Sequence, residues 1–452
     1  MYKKIKRIHL IGVGGIGMSG IAELLHRNGY VVSGSDLSRS DTVKHLEALG
    51  IQVFQGHQAI HVAGAELLVY SSAVKTDNPE MMAAMAAGIP AIPRAEMLAE
   101  LMRLKYGIAV AGAHGKTTTT SMTSLALMEA GLDPTIVVGG RMDNFGGTNA
   151  RLGSGEFMVV EADESDGSFN KLTPAIAVVT NMDREHMDFY GTMDRLRDAF
   201  LSFLNSVPFY GLAVLCGDDP YLKMLAPKVS RRKTTYGFGP DNHYRIESYH
   251  ADEAGSLLGI RIGDDSHQLP LRVPGRHNAL NAVAALAVAD ELSIPREITF
   301  RGLSSFQGVQ RRFQKRGERN GVQFIDDYAH HPREIAATLA AARERFPRAK
   351  IRVVFQPHRY TRVEDLFDEF STCFRDCDGV AVTDIYSAGE VPIPGVQSSL
   401  LFENIRRHGQ QAAHHVAKPM DGIEAWLSAS SPGDVIFTLG AGDLPSVYKQ
   451  LF

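Results

Sequence analysis

The chain has 452 residues, too many for one compact core, and at roughly 150 residues per domain it calls for about three. With 44% hydrophobic and 22% charged residues it has the make-up of an ordinary globular protein. A formal charge of −4 with no long run of one sign offers no basic face for nucleic acid, and no apolar run approaches the ~18 residues that span a bilayer.

The amino terminus, MYKKIKRIHLIGVGG, begins basic and turns apolar, but glycines break the run and it merges into a strand–turn–helix pattern, so an export signal is rejected. The three cysteines, Cys216, Cys373 and Cys377, read as thiols of a reducing compartment. Cys373 and Cys377 stand one helical turn apart with no cysteine or histidine to complete a metal site. A cytoplasmic location is expected.

Strand-like apolar runs alternate with helical patterns throughout, which predicts α/β domains with largely parallel sheets. The first block runs from Ile5 to about Lys105, with strands at Arg7–Val13, Tyr30–Ser35 and Leu67–Ser71. Gly12, Gly14 and Gly17 form a G-x-G-x-x-G between strand and helix, and Asp36 follows Gly17 by nineteen residues. Glycines allow the tight turn, and a helix amino end favours phosphate. Read alone the pattern indicates a dinucleotide site, with a packing-only turn as the bland alternative, and it does not say which diphosphate binds. The third strand leads into SSAV, beginning at Ser71.

The second block opens at Tyr106–Gly112, continues through strands Phe157–Ala162 and Ala175–Asn181 and the Ala-rich helix Ala279–Asp290, and ends near Phe306–Arg312. Gly112, Ala113, His114, Gly115, Lys116 and Thr117 lie between its first strand and a helix starting near Thr118. Backbone N–H groups there can cradle phosphates, the lysine can neutralise a γ-phosphate and the threonine hydroxyl can ligate magnesium. The G-x-x-x-x-G-K-[ST] spacing fails because its outer position is Val110, so the loop is a short form. Downstream, a strand delivers the cluster Glu161-Ala162-Asp163-Glu164-Ser165-Asp166, and His186 follows Glu161 by twenty-five residues, again just past a strand. Carboxylates suit magnesium, and a histidine can join where a second ion bridges phosphate and substrate; the alternative is a solvated acidic loop.

The third block has strands at Val322–Asp326, Ile351–Gln356, Gly379–Thr383 and Asp434–Leu439. Asp327-Tyr328-Ala329-His330-His331-Pro332 precedes an Ala-rich helix, whose first turn the proline suits. His358, Arg359 and Arg362 lie on the exit Gln356–Arg362, where they could hold a carboxylate or a transferring phosphate, or form an ordinary solvated loop. His414 and His415 lack such a context and read as surface residues. Polar, glycine-rich chemistry follows the strands of every block, where ligands of such sheets gather, so a site shared by all three is expected.

Taken together, HGKTTTT, EADESD, NMDREHMD (Asn181–Asp188) and GRHNALN (Gly275–Asn281) resemble the Mur ligases, ATP-dependent amide-forming enzymes of peptidoglycan precursor synthesis, over nearly the whole chain. GVGGIGMSG (Gly12–Gly20), DDYAHHP (Asp326–Pro332), FQPHRYTR (Phe355–Arg362) and TDIYSAGE (Thr383–Glu390) are similar to the branch that adds L-alanine to UDP-N-acetylmuramate. The resemblance implies a Rossmann-like first domain (1–105) holding UDP of the sugar nucleotide through Gly14, Gly15, Gly17, Asp36 and Ser71. It implies a central P-loop ATPase-like domain with a mainly parallel sheet (106–311) and a Rossmann-like α/β domain (312–452) for the amino acid. Gly112–Thr118 would hold ATP, Lys116 and Thr117 meeting the γ-phosphate and, with Glu161, a magnesium ion; His186 would ligate a second. His277, Asn278 and Asn281 would lie near adenine, and Arg312 and Asp327 near the rest of the nucleotide. Tyr328, His330, His358, Arg359 and Arg362 would place alanine, with Lys116, His186, His330, Arg359 and Arg362 as the catalytic set. A monomer or weak homodimer is expected. Ala113 stands where the family commonly has threonine. Phe200 occupies the position at which other branches carry a carbamylated lysine, with Arg195 and Arg197 nearby, which fits the alanine-adding branch. The competing readings are a ligase that attaches a recycled murein peptide to the same sugar nucleotide, and a nucleotide-binding regulator without turnover.

Overall fold

The computed structural model describes residues 5–71, 73–142 and 148–452. Ser72, within the SSAV segment, lies outside them. Three α/β sheets carry the fold. The chain divides into two compact units, one of residues 1–248, 259–269 and 280–306, the other of residues 249–258, 270–279 and 307–452.

In the first unit, strands β1 (Arg7–Ile11), β2 (Val31–Asp36), β3 (Gln52–Gln55), β4 (Leu67–Tyr70) and β5 (Ala91–Pro93) make a parallel sheet of order β3-β2-β1-β4-β5. The order reverses between β1 and β4, which opens a crevice at their carboxyl ends. Register pairs Ile11 with Ser35 and with Tyr70, so Gly12, Asp36 and Ser71 emerge at one edge. The expected strand Arg7–Val13 stops at Ile11 because Gly12 turns the chain at φ +76°.

A buried carboxylate stitches this sheet to its flanking helix Pro79–Ala86. Glu80 is 0% exposed, accepts from Ser35 Oγ at 2.5 Å and lies 2.6 Å from His61 Nδ1 and 3.3 Å from His57 Nδ1. His9 Nε2 sits 3.6 Å away, and the His61 ring stacks on Phe54 at 4.3 Å.

The second sheet has ten strands. Its members are β6 (Tyr106–Ala111), β7 (Thr135–Met142), β8 (Thr148–Arg151), β9 (Phe157–Glu161), β10 (Ile176–Val179), β11 (Leu212–Cys216), β12 (Lys233–Gly237), β13 (Tyr244–Asp252), β14 (Gly255–Ile262) and β15 (Asp265–Leu271), in the order β15-β14-β13-β12-β11-β10-β6-β9-β7-β8. Its centre, β11-β10-β6-β9-β7, is parallel and reads as continuous apolar runs because both faces are covered. Ala111 pairs with Val179 and Val110 with Glu161, which brings the ends of β6, β9 and β10 together.

In the second unit, β16 (Gln314–Arg319), β17 (Val322–Asp327), β18 (Ile351–Phe355), β19 (Gly379–Val382), β20 (Ala413–His415) and β21 (Val435–Leu439) form a sheet of order β16-β17-β21-β18-β19-β20, antiparallel only at β16. Ile335 and Leu339 of helix Pro332–Arg345 pack with Ile325, Val353, Phe355 and Phe437 in its core. The surface reading of His414 is corrected: it belongs to β20 and its half-buried ring lies 4.3 Å from that of Trp426. His415 is exposed, 2.9 Å from Asp384. Cys216, Cys373 and Cys377 are buried free thiols. Among the described residues no helix is long and apolar enough to cross a membrane.

The Glu80 cluster predicts a pH signature. Burial works to raise its carboxyl, but the close approach of His9, Ser35 and His61 outweighs it and holds the group at about 2 against an ordinary 4.5. A depressed carboxylate stabilises the fold above its unfolded value and loses that contribution as pH falls toward the folded one. Glu80→Gln is therefore expected to cost about 3 kcal/mol at neutral pH. The melting-temperature gap to the parent chain should close between pH 4.5 and 2. A gap that stays constant across that window would refute this account.

Candidate active site

At the end of β6 the backbone turns through Gly112 (φ +129°), and Gly115 (φ +81°) caps helix Lys116–Glu129. A Cβ on Gly112 would fall 2.2 Å from Thr180 Oγ1, and one on Gly115 would fall 2.6 Å from Asn281 Oδ1. Neither position admits another residue without displacement. The segment after β10 clamps the loop: Asn181 Oδ1 accepts from the His114 N–H at 2.8 Å, Asn181 Nδ2 donates to the His114 carbonyl at 2.9 Å, and Thr180 Oγ1 donates to the same carbonyl at 2.6 Å. On the other side Asn281 Oδ1 accepts from Thr119 Oγ1 at 3.1 Å. His114 Nε2 lies 2.9 Å from Asp183.

Lys116 points back into this loop. Its Nζ donates to the carbonyls of Gly112 (2.6 Å) and Ala113 (3.2 Å) and to Glu164 Oε1 (2.8 Å). Burial would lower the ammonium, but Glu164 and Glu161 outweigh it and hold it above the ordinary lysine value. Burial pushes Glu164 up to about 7 against the pull of Lys116. The Thr117 hydroxyl donates to Glu161 Oε2 at 2.8 Å, and that oxygen also accepts from the Gly139 N–H at 2.7 Å. Glu164, Glu185 and His186 bring one ligand atom each within 4.8 Å of one another, and the buried Glu164 Oε2 has no hydrogen-bond partner among the described residues. A hard divalent cation fits this set, since carboxylate oxygens and a threonine hydroxyl are magnesium ligands and an orphaned buried oxygen wants a positive partner. Phe200 is buried against Phe169, its ring 5.1 Å away, so no lysine chemistry exists at that position.

The glycine loop of the first sheet lies at the switch point. The Gly14 N–H donates to Asp36 Oδ2 at 2.9 Å, and a Cβ on Gly12 would stand 3.4 Å from Ser71 Oγ. Gly15 caps helix Ile16–Arg27, and Gly17 leaves room for Arg94, whose Nη1 lies 2.6 Å from a Cβ built there. Arg94 also pairs with Asp163 at 3.0 Å, so one guanidinium links the glycine loop to the acidic cluster.

In the second unit, β17 delivers Asp327, buried and accepting from the backbone N–H groups of Ala329 (2.8 Å) and Phe313 (2.9 Å). Burial raises its carboxyl to about 6 against the pull of Arg312. Arg311 and Arg312 lie over the Tyr328 ring at 5.0 and 5.4 Å. His330 Nδ1 is 3.0 Å from the Tyr328 carbonyl, and its ring meets that of His358 at 6.0 Å. His358 stacks on Tyr386 at 5.6 Å and lies 3.3 Å from Arg362 Nη1. Burial, then His330, Arg362 and Arg359, push His358 down to about 3. Arg359 holds φ +70°, strain that clusters at functional sites. His277, lowered to about 4 by burial and then Arg312, belongs to the same unit.

Sequence reading overlooked Thr180, Asn181, Gly139, Arg94, Arg311 and Tyr386. Asn181 lay within a quoted segment and Tyr386 within another, but their partners are backbone groups or rings remote in sequence, and no local spacing carries that signal.

Three family models match: Mur ligase family, catalytic domain (residues 7–106), Mur ligase middle domain (110–289) and Mur ligase, glutamate ligase domain (311–442). A UDP-N-acetylmuramate–L-alanine ligase of Sorangium cellulosum is 51% identical over 99% of this chain and 96% of its own length. One of Geobacter sulfurreducens is 51% identical over 98% and 96%. A solved UDP-N-acetylmuramate–alanine ligase of Thermotoga maritima matches with a TM-score of 0.84 and 31% identity, covering 98% of this chain and 97% of that one. A murein peptide ligase of Psychrobacter arcticus shares the fold at a TM-score of 0.74 and 22% identity, with 99% and 98% covered.

Gly112→Ala tests the loop geometry. The added methyl meets Thr180 Oγ1 and the Asn181 backbone at a φ that L-residues avoid, and a cost of about 2–4 kcal/mol is expected, with loss of nucleotide binding. Thermal melting and calorimetric titration with ADP check both; binding at the parent affinity would show that the loop does not need this turn.

Proposed function

The chain belongs to the Mur ligase family, and on that premise we propose that it joins L-alanine to the lactyl carboxylate of UDP-N-acetylmuramate, with cleavage of ATP, in cytoplasmic peptidoglycan precursor synthesis. The observation that carries this reading is the complete set around Lys116, in a chain about half identical over its whole length to ligases named for that reaction.

Residues 1–105 then take the UDP sugar through Gly14, Gly15, Gly17, Asp36 and Ser71; residues 106–311 take the ATP phosphates on Gly112–Thr118; residues 312–452 take the amino acid. His277, Asn278 and Asn281 are assigned to the adenine end, and Arg312 and Asp327 to the rest of the nucleotide. Thr117, Glu161 and His186 would hold magnesium, which when bound supplies charge neutralisation at the phosphates and the substrate carboxylate.

A carboxylate acylates an amine only after its oxygen is made a good leaving group. The lactyl carboxylate therefore attacks the γ-phosphorus of ATP, giving an acyl phosphate and ADP. The alanine nitrogen adds to the acyl carbon, and the tetrahedral intermediate collapses with expulsion of phosphate. Lys116 stabilises charge on the transferring phosphoryl group, and Arg359 and Arg362 hold the carboxylate of alanine. The ammonium of alanine must first lose a proton. With His330 Nδ1–H donating to the Tyr328 carbonyl, Nε2 is the basic nitrogen that takes it.

Phosphate release should require both UDP-N-acetylmuramate and L-alanine, and Lys116→Ala should reduce it by more than about 10³-fold. An active Lys116→Ala enzyme would sink the assignment. A tripeptide preferred over L-alanine would move it to the murein-peptide reaction, and no ADP with any acceptor would leave a nucleotide-binding regulator.

A further inference from the structure

The turn Pro274–Asn278, which opens helix Arg276–Glu291, is held by a tyrosine from a distant strand. Tyr249, on β13, accepts the Gly275 N–H at 2.7 Å and donates its own proton to Glu344 Oε2 at 2.6 Å. The Arg276 guanidinium lies over its ring at 5.7 Å. Gly275 is buried at φ +99°, and a Cβ there would sit 2.5 Å from the His277 ring and 3.0 Å from Ala341 Cβ. Its carbonyl accepts from the Asn278 N–H at 3.0 Å, while Asn278 Nδ2 donates to the Pro274 carbonyl at 2.7 Å. Ala341 and Glu344 both belong to helix Pro332–Arg345, and Glu334 in its first turn acts electrostatically on His277 together with Arg312.

The turn is thus pinned at its N–H by one hydroxyl, and that hydroxyl is aimed by the helix that follows the Asp327–Pro332 segment. A phenolic oxygen can donate once and still accept, so Tyr249 satisfies a buried backbone donor and a carboxylate at the same time. We infer that Tyr249 is a positioning residue: through Gly275 and Glu344 it fixes His277 and Asn278 against helix Pro332–Arg345, and so sets the grip on the adenine end of the nucleotide. This rests on the reading that assigns His277 and Asn278 to adenine.

Tyr249→Phe keeps the ring and the Arg276 contact and removes only the hydroxyl, leaving the buried Gly275 N–H unpaired. The expected result is an ADP affinity about tenfold weaker and a KM for ATP raised about tenfold, with kcat at saturating ATP within about twofold of the parent. Glu344→Gln, whose amide oxygen still accepts from the phenol, should behave like the parent, whereas Glu344→Ala should weaken ADP binding and add little when combined with Tyr249→Phe. Parent protein that binds ADP, with Tyr249→Phe binding equally well, overturns the inference alone. So does a Tyr249→Phe enzyme whose kcat and melting temperature fall at unchanged ADP affinity, since that is a merely structural role. Parent protein that binds no ADP overturns the functional reading and this inference together.

Discussion

A lysine ammonium drawn into a backbone loop cannot be left there uncompensated. Removing such a charge from water costs several kcal/mol unless each donor is met and an anion stands close. Lys116 meets this condition with two carbonyls of its own loop and the carboxylate of Glu164. Much of the first unit follows from that requirement. Glu164 must arrive just past the end of a neighbouring strand, so β9 lies beside β6; the carbonyls must turn inward, so Gly112 takes a φ that only glycine holds without strain; and Asn181 and Thr180 must tie the outward edge of the loop. The same contact acts on the carboxylate: burial raises Glu164 and the Lys116 ammonium pulls it back.

Parallel registry does the assembly. In a parallel sheet every strand ends at the same edge, so residues that follow their strands converge without any sequence proximity. Ile11 opposite Ser35 and Tyr70 collects Gly12, Asp36 and Ser71; Val110 opposite Glu161 collects the Gly112–Thr117 loop and the acidic cluster; Phe355 and Asp327 opposite Leu439 collect Tyr328, Gln356 and Gly440. The same geometric rule operates in each sheet, and only the side chains differ.

This is also why so much was legible in the sequence. An apolar run ending in glycine or a charged residue reports both the strand and its functional end, and the ten strands read from pattern alone match observed ones to within a residue or two. Two of the departures share a cause: β1 and β6 stop at the residue before a glycine of positive φ, where ladder geometry fails. What stayed hidden depends on long-range complementarity. Gly139 is one more glycine in a strand until Glu161 packs on it; Arg311 is one of two adjacent arginines until Asp326 and Tyr328 are placed; His414 reads as surface until Trp426 arrives from the following helix. The edge strands β3, β5 and β20 have three or four residues each, too few for an alternation to be recognised.

The histidines of the second unit add a last constraint. His277 and His358 stand in buried, arginine-rich surroundings that hold them down at about 4 and about 3, so both are neutral at physiological pH. Guanidinium groups do not titrate in that range. The positive charge beside them comes from the guanidinium groups of Arg311, Arg312, Arg359 and Arg362, with no contribution from these two imidazoles at neutral pH. Asp327, raised by burial to about 6 against the pull of Arg312, is the group beside them that changes charge just below neutral pH, while the two neutral rings add no positive charge of their own. Guanidinium charge and uncharged imidazole nitrogen thus sit on different groups of one unit.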